Sequence, residues 1–165
     1  KREHATDVAP DYLWVADVLP RVETPYLAIC RPTSPFRTAS TIRRGYAAFL
    51  ASGADSIRAV SPVTHPHPAK MWRVEGQTMR PVLDGHHPDG TPWHSSPTQS
   101  LPTVYVQNAS LEMTSVANVQ ATQTISGYRV APFFTDAREG FDVNTPENFL
   151  EAEHMAAEIA AHSVL

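Results

Sequence analysis

Two short stretches hold residues whose types and spacing could do chemistry. The first is Arg31-Pro32-Thr33-Ser34-Pro35-Phe36-Arg37. Its prolines fix φ near −65° and push Arg31 and Ser34 into extended conformations, so the loop is stiff. Two guanidinium groups and two hydroxyls on a stiff loop suit an anionic, oxygen-rich ligand such as a phosphate or carboxylate. The alternative is a proline-braced surface loop with solvated arginines. The second stretch is Phe141-Asp142-Val143-Asn144. Apolar and polar residues alternate there, which places Asp142 and Asn144 on one face about 6 to 7 Å apart if the stretch is a strand. A carboxylate at that place is either held for a ligand or assists the helix cap that follows. His65, His67, His86, His87 and His94 form a looser group. Their His-Pro-His-Pro spacing lacks helical i,i+4 geometry and no cysteine assists, so they are read as loop histidines, not zinc ligands. Ser95 and Ser96 beside His94 lack the spatial logic of a triad.

The elements that must position these groups follow an α/β order. Tyr26 to Cys30 reads as a strand feeding the first loop, with a short helix before it over Pro10 to Leu19. Residues 38–52 predict a helix with Ile42, Tyr46, Phe49 and Leu50 on one stripe, Arg43 and Arg44 facing away, and Gly53 as its C′ residue. Ser56 to Val60 predicts the next strand, paired in parallel with the first as short βα and αβ loops favour. Pro62 to Pro68 forbids regular structure. Met71 to Leu83 predicts an antiparallel ribbon turning at Gly76-Gln77, and residues 84–102 a long loop. Thr103 to Met113 and Gly127 to Phe134 predict strands, with a short helix over Thr114 to Val119. The last helix has Thr145 as N-cap, Pro146 at N1, Glu147 facing the dipole, and an apolar face of Phe149, Leu150, Ala156 and Ile159.

Composition sets limits. With 165 residues the chain is read as one domain, residues 1–165, with 69–102 inserted as ribbon and loop. A formal charge of −4 excludes a general polyanion binder, so no nucleic-acid partner is expected and any phosphate site must be local. The single cysteine, Cys30, cannot form an intramolecular disulfide and reads as a small buried hydrophobe in a cytoplasmic setting. No apolar run is long enough to span a membrane, and no apolar signal core follows Lys1-Arg2-Glu3-His4. Trp72 and Trp93 are read as packing or subunit anchors, because no basic patch surrounds them.

Three stretches together resemble the acylneuraminate cytidylyltransferase family, the CMP-sialic acid synthetases. Arg31 to Arg37 resembles the family's Q-P-T-S-P-L-R loop. Leu101 to Leu111 resembles its L-P-x-V-Y-x-x-N-G-A-I segment, and Phe141 to Glu153 its I-D-I-D-T-x-x-D-x-x-x-A-E ending. The resemblance spans about Ala5 to Glu153. It implies a Rossmann-like three-layer nucleotidyltransferase fold of the GT-A type, with the protruding ribbon pairing two subunits into a homodimer. It implies transfer of CMP from CTP to the anomeric hydroxyl of a nine-carbon 2-keto acid sugar, sialic acid or a related nonulosonic acid, with pyrophosphate released and Mg²⁺ as cofactor. The implied catalytic residues are Asp142 and Arg37, with Asp142 and Asn144 as metal ligands. The implied substrate-binding residues are Arg31, Thr33, Ser34, Gln99, Asn108 and Glu112, and Lys70 and Arg73 are either carboxylate ligands or solvated ribbon cations. Several residues depart from the pattern. Arg31 stands for the family's glutamine, Asn144 for its second aspartate, Glu112 for a common tyrosine, and Pro97-Thr98 for a common arginine pair. The family's basic Gly-rich A-R-G-G-S-K loop, which cradles the CTP phosphates, occurs nowhere in these residues. The expectation is therefore a chain matching the family without its first βα units, giving little turnover alone, or a non-catalytic sugar- or partner-binding remnant of the family.

Overall fold

The computed structural model describes His4, Thr6 and residues 8–63 and 65–162. Lys1 to Glu3 and Ala5, at the expected start, and Thr64, in the expected proline loop, lie outside the described residues. The chain divides into two units, Lys1–Val60 with Gln107–Leu165, and Ser61–Val106.

The first unit is built on a four-stranded sheet. Its strands are β1 (Tyr26–Ile29), β2 (Ser56–Pro62), β5 (Tyr105–Ser115) and β6 (Val130–Phe134), in the order β1-β5-β2-β6. β1 pairs antiparallel with β5, and β2 pairs parallel with β6. The expected parallel pairing of the first two strands is therefore corrected, because β5 lies between them. The helices are α1 (Asp11–Val18), α2 (Ala39–Ser52), α3 (Val116–Thr122) and α4 (Pro146–His162).

β5 organises the packing. All residues from Ser110 to Thr114 are buried, so both faces of the strand are covered. The pleat sends Leu111 and Met113 one way, into a cluster with Phe49 of α2, Ile57, Ala59 and Phe133. On the other face Ile29 joins Val15 of α1, Val119 of α3 and Ile125 in a second cluster. Glu112 stands opposite Ile29 in the register and so shares that second face.

The capping chemistry of α2 explains its bounds. Thr38 and Thr41 form a reciprocal capping box, each bond 3.1 Å, and Gly53 ends the helix at φ 59°, where any side chain would be strained. The buried stripe is Thr41, Gly45 and Phe49. The expected stripe is thus rotated: Phe49 is buried and Ile42 packs at its side, but Tyr46 and Leu50 are exposed. The cause is Gly45, where a Cβ would lie 2.3 Å from the Leu111 side chain. That face approaches β5 too closely for a larger residue.

Arg44 does not simply face away. It binds both carboxylate oxygens of Glu139, at 2.9 and 2.8 Å, and lies 5.6 Å from the Phe133 ring centroid. Thr41 Oγ1 donates to the same carboxylate at 2.6 Å. The Arg44 guanidinium holds the Glu139 carboxyl below its ordinary value, with the Thr41 bond adding to it. A carboxyl with a depressed folded pKa contributes stability above its unfolded pKa and loses it as pH falls through the folded one. The thermal midpoint is therefore expected to hold from pH 7 to about 5 and fall below about 4. Arg44→Met should remove this pair's share of the acid loss, and an unchanged acid limb in that variant would refute the assignment.

Three further expectations are corrected. Cys30 is exposed, because β1 ends at Ile29 before reaching it. Residues 141–144 are not a strand, since their backbone ladder reduces to one bond, Val143 N–H to Thr33 O at 2.8 Å. In α4, Thr145 caps the Asn148 N–H at 3.2 Å as expected, but Phe149 and Leu150 are 57% and 64% exposed and the helix packs through Ala152.

The second unit carries the ribbon, β3 (Trp72–Glu75) and β4 (Thr78–Pro81), paired antiparallel and turned at Gly76 with φ 63°. Within it Lys70 Nζ donates to the carbonyls of His94 and Ser96, and the Trp72 ring lies 4.9 Å from that of His94. Lys70 is thus neither solvated nor free for a carboxylate. His67 is buried, with Nδ1 accepting from Ala69 N–H and Nε2 3.0 Å from Pro102 O. Among the described residues, no group of three His, Cys, Asp or Glu could hold a metal ion. No helix among them is long and apolar enough to cross a membrane.

Candidate active site

The two stretches singled out by their chemistry come together in the first unit. Arg31, Pro32 and Thr33 line an open pocket of about 410 Å³ with Ala109, Asp142 and Asn144. The Val143 to Thr33 main-chain bond joins the stretches, and the Phe36 and Phe141 rings meet edge to face at 5.9 Å. Asp142 is therefore placed by a loop-to-loop contact and by the cap of α4, in the absence of a strand.

The side chain of Asp142 has one oxygen engaged. Asn144 Nδ2 donates to its Oδ2 at 2.9 Å, while Oδ1 is buried and accepts no hydrogen bond among the described residues. A buried carboxylate oxygen without a donor is costly unless a cation or a proton meets it. This donor set fits Mg²⁺ of the kind that takes one carboxylate and draws its other oxygens from a polyphosphate and water. Asn144 would offer its own carbonyl oxygen as a second, uncharged ligand.

Arg31 is held by acids. Its Nη1 donates to Asp11 Oδ1 at 3.4 Å, its Nη2 donates to Asp11 Oδ2, and Glu112 Oε1 lies 3.4 Å from Nη2. The bond from Arg31 holds the Asp11 carboxyl below its ordinary value, and Asp11 in turn raises the guanidinium. Glu112, 2% exposed, also meets Arg58 Nη1 at 2.6 Å, in an ion pair that lacks hydrogen-bond alignment. Arg58 Nη2 donates to Ser126 Oγ at 2.8 Å. The result is a balanced group of two arginines and two carboxylates on one face of the sheet. Sequence inspection missed Asp11 and Arg58; the signal was the alternation of Ser56 to Val60, which put a charged residue inside a buried strand.

The remaining expected residues are placed as follows. The Arg37 guanidinium is engaged by main-chain carbonyls, those of Ser110 at 2.5 Å and Arg31 at 3.3 Å, and so ties the loop to β5. Ser34 is buried beneath the loop, its Oγ without a hydrogen bond among the described residues. Asn108 on β5 donates to Thr135 Oγ1 at 2.8 Å and accepts from Ser110 N–H at 3.1 Å. Gln99 belongs to the second unit, in a short 3₁₀ turn.

No family model matches the chain, and no curated protein matches it. Among solved structures, the chain is similar to the crystal structure of 2-C-methyl-D-erythritol 4-phosphate cytidylyltransferase from Thermus thermophilus. The TM-score is 0.51 and the identity 17%, over 87% of this chain and 67% of that one. The fold expected from sequence, an α/β nucleotidyltransferase, is thus the fold found, and at that identity the likeness extends to the fold alone.

Proposed function

We propose that this chain belongs to a cytidylyltransferase that passes CMP from CTP to the anomeric hydroxyl of a sialic acid or related nonulosonic acid. The anomeric oxygen attacks the α-phosphorus, the bond from that phosphorus to the β-phosphate's bridging oxygen breaks, and pyrophosphate leaves. The observation that carries the reading is the Asp142 carboxylate, with one buried oxygen open, beside the Arg31 to Thr33 wall in a fold similar to that of a cytidylyltransferase.

In this reading Arg31 and Thr33 take the acid group of the sugar. Glu112 sets the position of Arg31, and Arg37 holds the loop by its carbonyl. Asn108 and Ser34 complete the sugar-binding set. Asp142, with Asn144, would hold Mg²⁺, which when bound would offset phosphate charge. The test is titration with N-acetylneuraminic acid and related acid sugars, followed by pyrophosphate release from CTP with Mg²⁺. The sequence has no Gly-rich basic loop, so binding with little turnover is expected, and turnover when a segment carrying that loop is supplied. A chain that binds no acid sugar would overturn the reading.

A non-catalytic sugar-binding role draws on one observation. Arg31, Arg37 and Asn108 are each engaged by the protein itself. Sugar binding with no pyrophosphate release even when the loop is supplied would select it.

The ribbon fits a homodimer contact. Met71, Trp72, Val74 and Met79 are all exposed on or beside the ribbon, an apolar set that a second copy would cover. Sedimentation is expected to give a dimer at tens of micromolar; a monomer there would refute the pairing.

A further inference from the structure

The carboxylate of Asp11 meets the Arg31 guanidinium through both of its oxygens. This two-pronged contact is the arrangement in which arginine takes a planar carboxylate from a ligand. Arg31 lines the pocket that also holds Asp142, while Asp11 reaches it from the first turn of α1, twenty positions earlier in the chain. The other acid beside Arg31 has its own partner: Glu112 meets Arg58 at 2.6 Å. The charge that Arg31 would offer a ligand is therefore balanced by Asp11.

The Asp11 pair differs from the Glu112 pair in exposure. The Asp11 and Arg31 side chains are 38% and 31% exposed, whereas Glu112 is 2% exposed. An ion pair this open is screened and weak enough for a ligand to break. On release Asp11 is not stranded. Trp14 Nε1 donates to its Oδ1 at 3.0 Å, and the carboxylate sits at the favourable end of the α1 dipole.

We propose that Asp11 is an internal carboxylate that occupies the Arg31 fork and is displaced by the carboxylate of an acidic ligand entering the Asp142 pocket. This rests on the reading that the pocket takes an acid sugar, and it narrows that reading by making the recognised group the planar carboxylate. Asp11 acts as a built-in competitor. It lowers affinity for every anion that must take the Arg31 fork.

The probes are pyruvate, which offers a 2-keto carboxylate without a sugar, and methyl pyruvate, its uncharged ester. In Asp11→Asn, whose amide cannot balance Arg31, pyruvate binding measured by calorimetry is expected to tighten about tenfold, as for a site freed from an occupant that fills it nine-tenths of the time. Methyl pyruvate binding is expected to be unchanged, because the ester carries no charge to take the freed guanidinium. Arg31→Met should abolish the pyruvate gain. In the unaltered protein, pyruvate should move the Trp14 indole N–H resonance along a saturable curve, a readout that needs no variant to fold. The proposal is overturned if Asp11→Asn lowers the thermal midpoint without tightening pyruvate, if methyl pyruvate gains equally, or if the gain survives Arg31→Met. It is also overturned if the Trp14 resonance stays still at saturation or if no pyruvate binds at all. Pyruvate carries no anomeric hydroxyl and the assay contains no CTP, so the two proposals fail separately. Tightening with no pyrophosphate release from CTP and acid sugar, even when the loop is supplied, would remove the proposed function and leave this inference, and release without tightening would do the reverse.

Discussion

Glu112→Ala is expected to destabilise the protein by about 3–5 kcal/mol, the usual cost of removing one partner from a buried ion pair. The side chain is buried on a strand with both faces covered, and its loss leaves Arg58 and Arg31 on the same face with one carboxylate, Asp11, between them. Urea unfolding should show the loss at an unchanged m-value. The double variant Glu112→Met with Arg58→Met should recover much of it, because a matched apolar pair avoids the desolvation that the charges bear. A Glu112→Ala protein within about 1 kcal/mol of the parent would mean that the two arginines find water or other acids, and that the network does not hold the site.

Asp142→Asn is the second large effect, and it should appear in function with stability nearly unmoved. Asp142 makes one side-chain bond, from an exposed asparagine, so neutralising it breaks little packing. It does remove the charge of the oxygen proposed to hold Mg²⁺. With the phosphate loop supplied, turnover is expected to fall by about 10²–10³, in line with removal of one preorganised electrostatic contact. Mn²⁺ relaxation should show weaker metal binding, and Asn144→Asp should strengthen it by restoring a second negative charge. An Asp142→Asn protein that keeps the parent's metal response, or that unfolds, would leave the residue with a structural role alone.

What could be read in advance was local. The Gly53 end of α2, the Thr145 cap of α4 and the Gly76 turn all depend on residues within one or two turns of each other. The Arg31 to Arg37 loop and Asp142 were also legible, since proline stiffness and an N-cap announce themselves in sequence. The partnerships that tune the site were not. Glu112 lies 81 positions from Arg31, and nothing local tells an acid on a buried strand which arginine it will meet. Residues 141–144 show a different limit. Their alternation is real and does bring Asp142 and Asn144 side by side, but a strand needs a neighbour along its length and this one meets a single carbonyl. The exposed Phe149 and Leu150 mislead because helix periodicity defines an apolar face without saying what covers it.

The place of β5 in the sheet governs the order in which the molecule can assemble. β1 pairs only with β5, and β2 lies between β5 and β6. Every pairing of the main sheet therefore waits for β5, which begins at Tyr105, or for β6 after it, and α2 lacks Leu111, the side chain its glycine is shaped to meet, until β5 is made. A chain emerging from a ribosome completes β3 and β4 as a local ribbon long before the first hydrogen bond of the main sheet forms. The closure entropy of those long connections is spent before the apolar clusters return anything, which puts this domain among the slower, topology-limited folders.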